Sequence, residues 1–264
     1  MMIAAFTSRV IEARGLRLRV RLIGSIILLA AVVACCSVSP AQSAQQSGAT
    51  QSKPVVPARD LSGVWLAEDA PNALLTATDE QPPMSAWGQA QFRNAVEQKT
   101  SPDDKANSDP YSRCDPPGVP RVYLFDGPVE IIQTPNRIFI FYEEGHFWRE
   151  IWMDGRALPR NPDPTYMGYS VGKWTDETLV VDSIGFNDKT WLDNMGHPHS
   201  DALHVVERFK RIESDTLQIT FMFDDPKAYD KPWTAAPIIL KSKPGRELLE
   251  FFCVPNDNRS PSKK

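Results

Sequence analysis

Short apolar runs separated by turn residues dominate the chain from residue 122 onward. Period-two alternation within the runs, with Pro, Gly, Asn or Asp between them, is typical of strands joined by tight turns. Four successive hairpins are predicted, joining residues 128–133 to 137–142, 169–174 to 178–186, 203–212 to 216–224, and 238–242 to 247–254. Two further strands are expected, at Leu61–Trp65 and at residues 146–153.

These strands predict a mainly β domain, an antiparallel meander of about ten strands that closes into a barrel. Closure removes the exposed edges of the sheet, and a two-sheet β-sandwich is the alternative. One short helix is expected over residues 84–98, with Ser85 as its N-terminal cap. The helix lies in an insertion that spans residues 76–120.

The first 44 residues have the features of a secretory signal peptide. Five arginines and one glutamate precede an uncharged run over residues 22–36, and a small-residue stretch suits cleavage after Ala41 or Ala44. Val32-Val33-Ala34-Cys35 also resembles a relaxed lipobox, in which Cys35 would carry a lipid anchor. We therefore expect a periplasmic or secreted protein, with membrane contact only through an anchor at Cys35.

Cleavage after residue 44 leaves an acidic protein. It removes five of the 29 basic residues and one of the 33 acidic residues, so the mature chain has a net charge of about −8 with neutral histidines. This charge argues against nucleic acid as a partner. Three segments should follow the signal, namely a disordered linker over residues 45–59, the barrel domain over residues 60–257 and a flexible tail over residues 258–264.

Cys114 and Cys253 are the two cysteines of the predicted barrel domain. In an oxidising compartment such a pair predicts a disulfide. Two unlinked thiols are the alternative.

Three of the four histidines lie between residues 197 and 204. Pro198 stiffens the segment that carries His197 and His199, and an extended His-x-His pair can chelate one divalent metal such as zinc or iron. The third ligand would be one of four residues, His146, His204, Asp193 or Asp201. The alternatives are proton transfer by the pair, or loop histidines that only hydrogen-bond to their neighbours.

Glu207 shares a predicted strand face with Val205 and Phe209. If that face points into the barrel, the carboxylate is desolvated and can act as a general acid or base. The alternative is an ion pair with an arginine such as Arg149, because a buried charge usually requires a partner. The candidate catalytic residues are His197, His199, Glu207 and Arg149.

Aromatic residues are spread over the predicted strands and loops, as expected for a barrel that holds an apolar or ring-containing ligand. Ordinary core packing is the alternative for each of them. The residues expected to contact a ligand are His146, Trp152, Tyr169, Trp191 and Phe209.

Several segments resemble known proteins. Gly63-Val64-Trp65 resembles the Gly-x-Trp signature of lipocalins, although the carboxy-terminal helix of true lipocalins is missing. MGYSVGKW at residues 167–174, GFNDKTWLD at residues 185–193 and GHPHS at residues 196–200 are similar to a group of uncharacterised exported bacterial proteins. The likeness covers residues 61–256 and implies a lipocalin-like barrel without implying a reaction.

Two functions follow from these features. The first is an exported lipocalin-like protein that binds a small apolar or amphipathic molecule in its barrel. The alternative is a lyase, isomerase or hydrolase, in which His197 and His199 bind a metal or move protons while Glu207 and Arg149 orient or stabilise charge. The enzyme requires these side chains to converge on one site, and the binding protein does not.

Overall fold

The computed structural model describes residues 57–100 and 109–254. Across these ranges, no helix has the length and hydropathy needed to cross a lipid bilayer. Four predicted features lie outside them, namely the signal peptide, the lipid anchor at Cys35, the linker over residues 45–56 and the tail over residues 258–264.

Within the described ranges the fold is mainly β, as predicted, with one α-helix, α1 (Ala86–Thr100). The strands are β1 (Gly63–Ala67), β2 (Val129–Gln133), β3 (Arg137–Tyr142), β4 (Trp148–Trp152), β5 (Tyr169–Thr175), β6 (Thr178–Ile184), β7 (His204–Glu213), β8 (Thr216–Asp224), β9 (Trp233–Thr234) and β10 (Ile238–Ser242). All ten belong to a single sheet.

The sheet closes into a barrel because β10 pairs with β1 on one side and with β8 on the other. The short strand β9 pairs with β8 outside the closed ring. Described neighbours are antiparallel except β4 and β5, which run parallel where Ile151 meets Ser170 and Trp152 meets Val171. The long connection over residues 153–168 lets β5 run in the same direction as β4, a parallel pairing that the hairpin pattern does not predict.

Three of the four predicted hairpins are confirmed, as β2–β3, β5–β6 and β7–β8. The fourth is wrong, because residues 247–254 form no strand and both sides of β10 are already paired. The strand predicted to start at His146 starts at Trp148. His146 has a φ of 54° and ends a 3₁₀ turn, a backbone conformation that a strand does not allow.

Alternate side chains of the strands fill the barrel. Along β8, Ile219, Phe221 and Phe223 are fully buried, each contributing about 1.5 to 3 kcal/mol of apolar burial. Trp65 of β1 is also buried, and the guanidinium of Arg211 lies over its ring at 4.8 Å. The first strand is therefore joined to the core by side chains as well as by its backbone.

Helix α1 confirms the predicted helix and its cap. The hydroxyl of Ser85 accepts a hydrogen bond from the backbone N–H of Gly88 at 3.1 Å. Gly88 also lies against Ala228, whose carbonyl oxygen would be 2.2 Å from a Cβ atom at that position. This close approach holds α1 against the barrel, with Phe92 over the loop that contains His197.

The segment before β2 reaches into the barrel core. All four residues of its 3₁₀ turn, Arg121–Leu124, are buried. Arg121 donates to both carboxylate oxygens of Asp109, at 2.7 and 2.5 Å. The predicted disulfide is confirmed, and it joins Cys114 of this segment to Cys253 with Cα atoms 5.6 Å apart.

Replacing both cysteines tests how much this link contributes to stability. The bond spans 139 positions of sequence, so the chain-entropy model gives a loss of about 4 to 5 kcal/mol in the free energy of unfolding. We expect the C114A/C253A variant to unfold at a lower urea concentration than the oxidised wild type, as followed by tryptophan fluorescence. Reduced wild-type protein should match the variant, and equal midpoints for oxidised protein and variant would contradict this contribution.

Candidate functional site

One polar side chain from each of five consecutive strands faces the barrel interior. β3 contributes Tyr142, β4 Arg149, β5 Ser170, β6 Ser183 and β7 Glu207, and all five are buried. The residues two positions away on these strands are mostly buried and apolar, which identifies the shared face as the inner one. We call these five residues the polar row.

Arg149 and Glu207 form a bidentate ion pair within the polar row. Nη1 of Arg149 donates to Oε1 of Glu207 at 2.8 Å, and Nη2 donates to Oε2. Nη2 also donates to the hydroxyls of Ser170 and Ser183 at 2.9 and 2.8 Å, and Nε donates to Ser170 at 3.1 Å. Every nitrogen of the guanidinium therefore has an acceptor.

The ion pair is almost completely shielded from solvent, with side chains 1% and 0% exposed. Burial alone would lower the pKa of Arg149, but the charge of Glu207 and its hydrogen bonds outweigh burial, and the pKa is raised. A buried ion pair usually stabilises a fold no better than apolar side chains of the same volume. Stability alone does not explain the polar row, and we take it as the candidate functional site.

Two tyrosine hydroxyls at the polar row are buried without a hydrogen-bond partner of good geometry among the described residues, although each hydroxyl influences the pKa of the other and Arg149 lowers that of Tyr142. They belong to Tyr142 and to Tyr123 of the 3₁₀ turn, whose ring centroids are 5.5 Å apart. Burial raises the pKa of both phenols, so both remain protonated near neutral pH. A buried hydroxyl without a partner costs about 1 to 3 kcal/mol, and each phenol is an unused hydrogen-bond donor.

Apolar rings complete the surroundings of these donors. The ring of Tyr123 lies 6.2 Å from that of Phe209 and 5.8 Å from that of Phe221, measured between centroids. Both phenylalanines are fully buried on β7 and β8. The interior therefore combines ring surface with two unused phenol donors and an ion pair whose charges cancel.

His197, the first histidine of the predicted metal site, is buried and paired with a carboxylate. Its Nδ1 donates to Oδ2 of Asp193, and its ring stacks on Phe92 at 4.5 Å. Nε2 lies 3.0 Å from Oε1 of Gln81. Burial alone would raise the pKa of Asp193. His197 and the backbone N–H groups that donate hydrogen bonds to the carboxylate outweigh burial, so the pKa of Asp193 is lowered overall. The Asp193 carboxylate and His197 thus hold the loop in place.

His199 has different partners. Its Nε2 lies 2.6 Å from Oγ1 of Thr190 and its Nδ1 lies 3.0 Å from the carbonyl oxygen of Ser200, contacts that suit a neutral ring donating from Nδ1. Burial lowers the pKa of His199, although the Ser200 contact and the charge of Asp225 oppose this. Asp225 also accepts from the backbone N–H and hydroxyl of Ser200, at 2.6 and 2.8 Å.

The structure does not bring the three predicted metal ligands together. His146 is exposed, and its Nδ1 lies 2.7 Å from the carbonyl oxygen of Phe251. His197 and His199 have separate partners on the loop. In the part of the chain that the structure describes, no group of three or more His, Cys, Asp or Glu side chains is placed to hold a metal.

The predicted catalytic residues divide into two places. Arg149 and Glu207 meet in the barrel interior, which confirms the ion pair that the sequence offers as the alternative to an isolated carboxylate. Their strands are not neighbours, since β5 and β6 lie between β4 and β7. His197 and His199 make their hydrogen bonds outside the polar row.

The predicted ligand contacts divide in a similar way. Phe209 lies in the interior beside Tyr123. Trp152 and Tyr169 alternate with inward-facing residues of β4 and β5 and lie on the outer face, where the hydroxyl of Tyr169 is 2.9 Å from Nη1 of Arg156. His146 is exposed, and Trp191 belongs to the loop before the histidines. Aromatic character alone therefore does not show whether a residue faces the inside or the outside of the barrel.

Four residues of the interior were not predicted from the sequence. Three of them, Tyr142, Ser170 and Ser183, occupy inward positions on strands whose other inward residues are mostly apolar. A polar residue at such a position is the signal that could have identified them. Tyr123 gives no such signal, because it lies on a 3₁₀ turn within the irregular segment before β2.

Comparison with protein-family models, with curated proteins and with solved structures finds no match to this chain. The resemblance to exported bacterial proteins with a lipocalin-like barrel therefore stays a prediction. The function has to be inferred from the side chains of the barrel interior.

Neutralising one member of the ion pair tests how far the fold depends on it. The E207Q substitution leaves Arg149 charged and buried without a counter-ion, which costs about 3 to 5 kcal/mol. The R149M/E207L variant removes both charges, and we expect it to recover most of the lost stability in urea unfolding followed by circular dichroism. A double variant less stable than E207Q would contradict this account.

The buried ring of His199 gives a second prediction, on pH. Because burial lowers its pKa from the ordinary value of 6.5, the unfolded chain binds a proton more readily than the folded protein. The neutral ring of His199 therefore contributes its full stabilisation of the folded protein above pH 6.5. This stabilisation is lost as the pH falls from 6.5 toward the lower pKa of His199 in the folded state. We expect H199Q to flatten the pH dependence of the free energy of unfolding between about pH 7.5 and 5.5. An unchanged wild-type slope in H199Q would contradict the prediction.

Proposed function

We propose that the protein binds a small, uncharged and mainly apolar molecule inside its barrel. A carbonyl-type oxygen of this ligand accepts hydrogen bonds from Tyr123 and Tyr142. The proposal depends on one observation, that both phenols are buried and protonated without a hydrogen-bond partner of good geometry among the described residues. An acceptor on a ligand would satisfy both donors.

The charges of the interior favour an uncharged ligand. Arg149 and Glu207 neutralise each other, and each nitrogen of the guanidinium already has an acceptor. A ligand carboxylate would meet no unpaired cation there, and a ligand ammonium would meet no unpaired anion. Burying either ion without a partner is costly.

The position of Tyr123 suggests how a ligand enters. Its 3₁₀ turn is outside the strand ladder, and the backbone N–H groups of Val122 and Tyr123 bond locally to Gly118 and Pro120. Displacing this turn therefore breaks no strand pair. We infer that the ligand reaches the polar row beside the turn, while the bidentate contact of Arg121 with Asp109 holds the base of the turn.

A binding role agrees with the resemblance to lipocalins and to exported bacterial proteins. The predicted signal peptide supports a periplasmic or secreted location for this binding, with a lipid anchor at Cys35 as the alternative form. The enzyme has less support, because His197 and His199 are buried against partners of their own and lie outside the polar row.

Removing the two hydroxyls tests the proposal. The probe is prodan, an uncharged naphthyl ketone whose emission reports hydrogen bonding to its carbonyl oxygen. We expect Y123F and Y142F each to weaken prodan binding about tenfold, the equivalent of one hydrogen bond. Their free energies of unfolding should stay equal to the wild type or rise by about 1 kcal/mol, because each change removes an unsatisfied buried group.

Y169F is the matched control, since this tyrosine lies on the outer face and its hydroxyl contacts Arg156. It should bind prodan like the wild type. Absence of saturable binding to the wild type, or equal affinities for Y123F, Y142F and Y169F, would contradict the proposal. Native mass spectrometry of the purified protein then gives the mass of any natural ligand that it retains.

A further inference from the structure

Three cationic side chains lie close together on the outer face of the barrel. Lys173 of β5 is opposite Val180 of β6, and Val180 is opposite Arg208 of β7. Lys210 lies in the next row, opposite Thr178. Since adjacent strands are about 4.8 Å apart, the strand positions of Lys173 and Arg208 are within about 10 Å of each other. We call Lys173, Arg208 and Lys210 the cationic triad.

A shallow groove of about 720 Å³ opens between these side chains. Val180 and Thr178 belong to its central strand, and the β5–β6 turn with Asp176 and Glu177 borders one end. The groove is larger than a single phosphate group. It therefore has room for a phosphate together with part of the molecule that carries it.

The cationic triad forms no ion pair among the described residues, and its three charges exceed the two of Asp176 and Glu177 in the same groove. On the outer faces of β3 and β4, by contrast, Arg137 pairs with Glu150 at 2.9 Å. Asp182, which lies on the outer face of β6 next to the triad, is 3.3 Å from His204 instead. Three neighbouring cations left unpaired in a protein with more acidic than basic residues is an arrangement that suits an external anion.

We propose that the cationic triad binds a phosphate ester on the outer face of the barrel. The planar guanidinium of Arg208 can donate two parallel hydrogen bonds to phosphate oxygens, and the two lysines add charge. The hydroxyl of Thr178 is a further donor within the groove. This site is separate from the polar row, because Glu207 and Ser170 point inward while the triad points outward.

The phosphate ester can belong to a soluble molecule or to a lipid headgroup, and two probes separate these sources. Glycerol 3-phosphate, a soluble phosphate ester, is titrated calorimetrically into the purified protein and represents the soluble ligand. Vesicles of phosphatidylglycerol, compared in sedimentation with vesicles of phosphatidylcholine, represent the headgroup. Binding to either anionic probe should weaken as the salt concentration rises.

Charge-removing variants test the assignment. Each of K173Q, R208Q and K210Q should weaken binding of the anionic probe about threefold, the usual effect of one exposed charge contact, and the triple variant about thirtyfold. K231Q, which removes the charge of an exposed lysine outside the groove, should bind like the wild type. The triple variant should keep the wild-type affinity for prodan, which tests the interior independently.

Saturable binding of glycerol 3-phosphate alone would support a soluble phosphate ester. Binding of phosphatidylglycerol vesicles in preference to phosphatidylcholine would support a lipid headgroup. If neither anionic probe binds, or if the triple variant binds like K231Q, the proposal is overturned.

Discussion

The ion pair between Arg149 and Glu207 connects β4 to β7 through the barrel interior, and the surrounding polar groups are arranged by it. A charge in a medium of low polarity needs a partner, so the carboxylate fixes the guanidinium, which in turn uses Ser170 and Ser183 on the two strands between them. The short parallel contact of β4 with β5 lies within this group of strands. One set of hydrogen bonds therefore crosses four strands at the place where the backbone pairing within the closed ring is least extensive.

The sequence suggested one site containing the two histidines, Glu207 and Arg149. In the structure the ion pair lies in the barrel interior and the histidines lie in a separate loop. His197 and His199 are spaced as metal ligands, but Asp193 and Thr190 supply hydrogen-bond partners that hold their rings in a packed loop beneath α1. The spacing of donor atoms does not reveal the side chains that will meet them. The two phenol hydroxyls without well-formed hydrogen bonds lie instead on a strand and a turn that carry no recognisable motif.

The strands could be predicted because burial on a strand follows the alternation of its residues, and the inward position of Glu207 followed from the same rule. That Glu207 needs a cationic partner follows from its charge. Whether Arg149 on β4 can reach Glu207 on β7 depends on how the whole sheet curves, which the residues of one strand do not show. The hairpin predicted after β10 failed for a related reason. Turn residues predict pairing only between segments that are adjacent in the sequence. β10 pairs instead with β1, which lies near the other end of the domain. Tyr123 could not be predicted, because a 3₁₀ turn has no long apolar period.

Closure of the ring by β10 also has a consequence for how the molecule is made. β1 begins at Gly63 and β10 ends at Ser242, so a chain growing from its amino terminus exposes one side of β1 until most of the domain exists. An unpaired edge is a template for strands of other chains. The nascent protein therefore carries an open edge until its last strand is made, and loss of β10 would reopen two edges at once, on β1 and on β8.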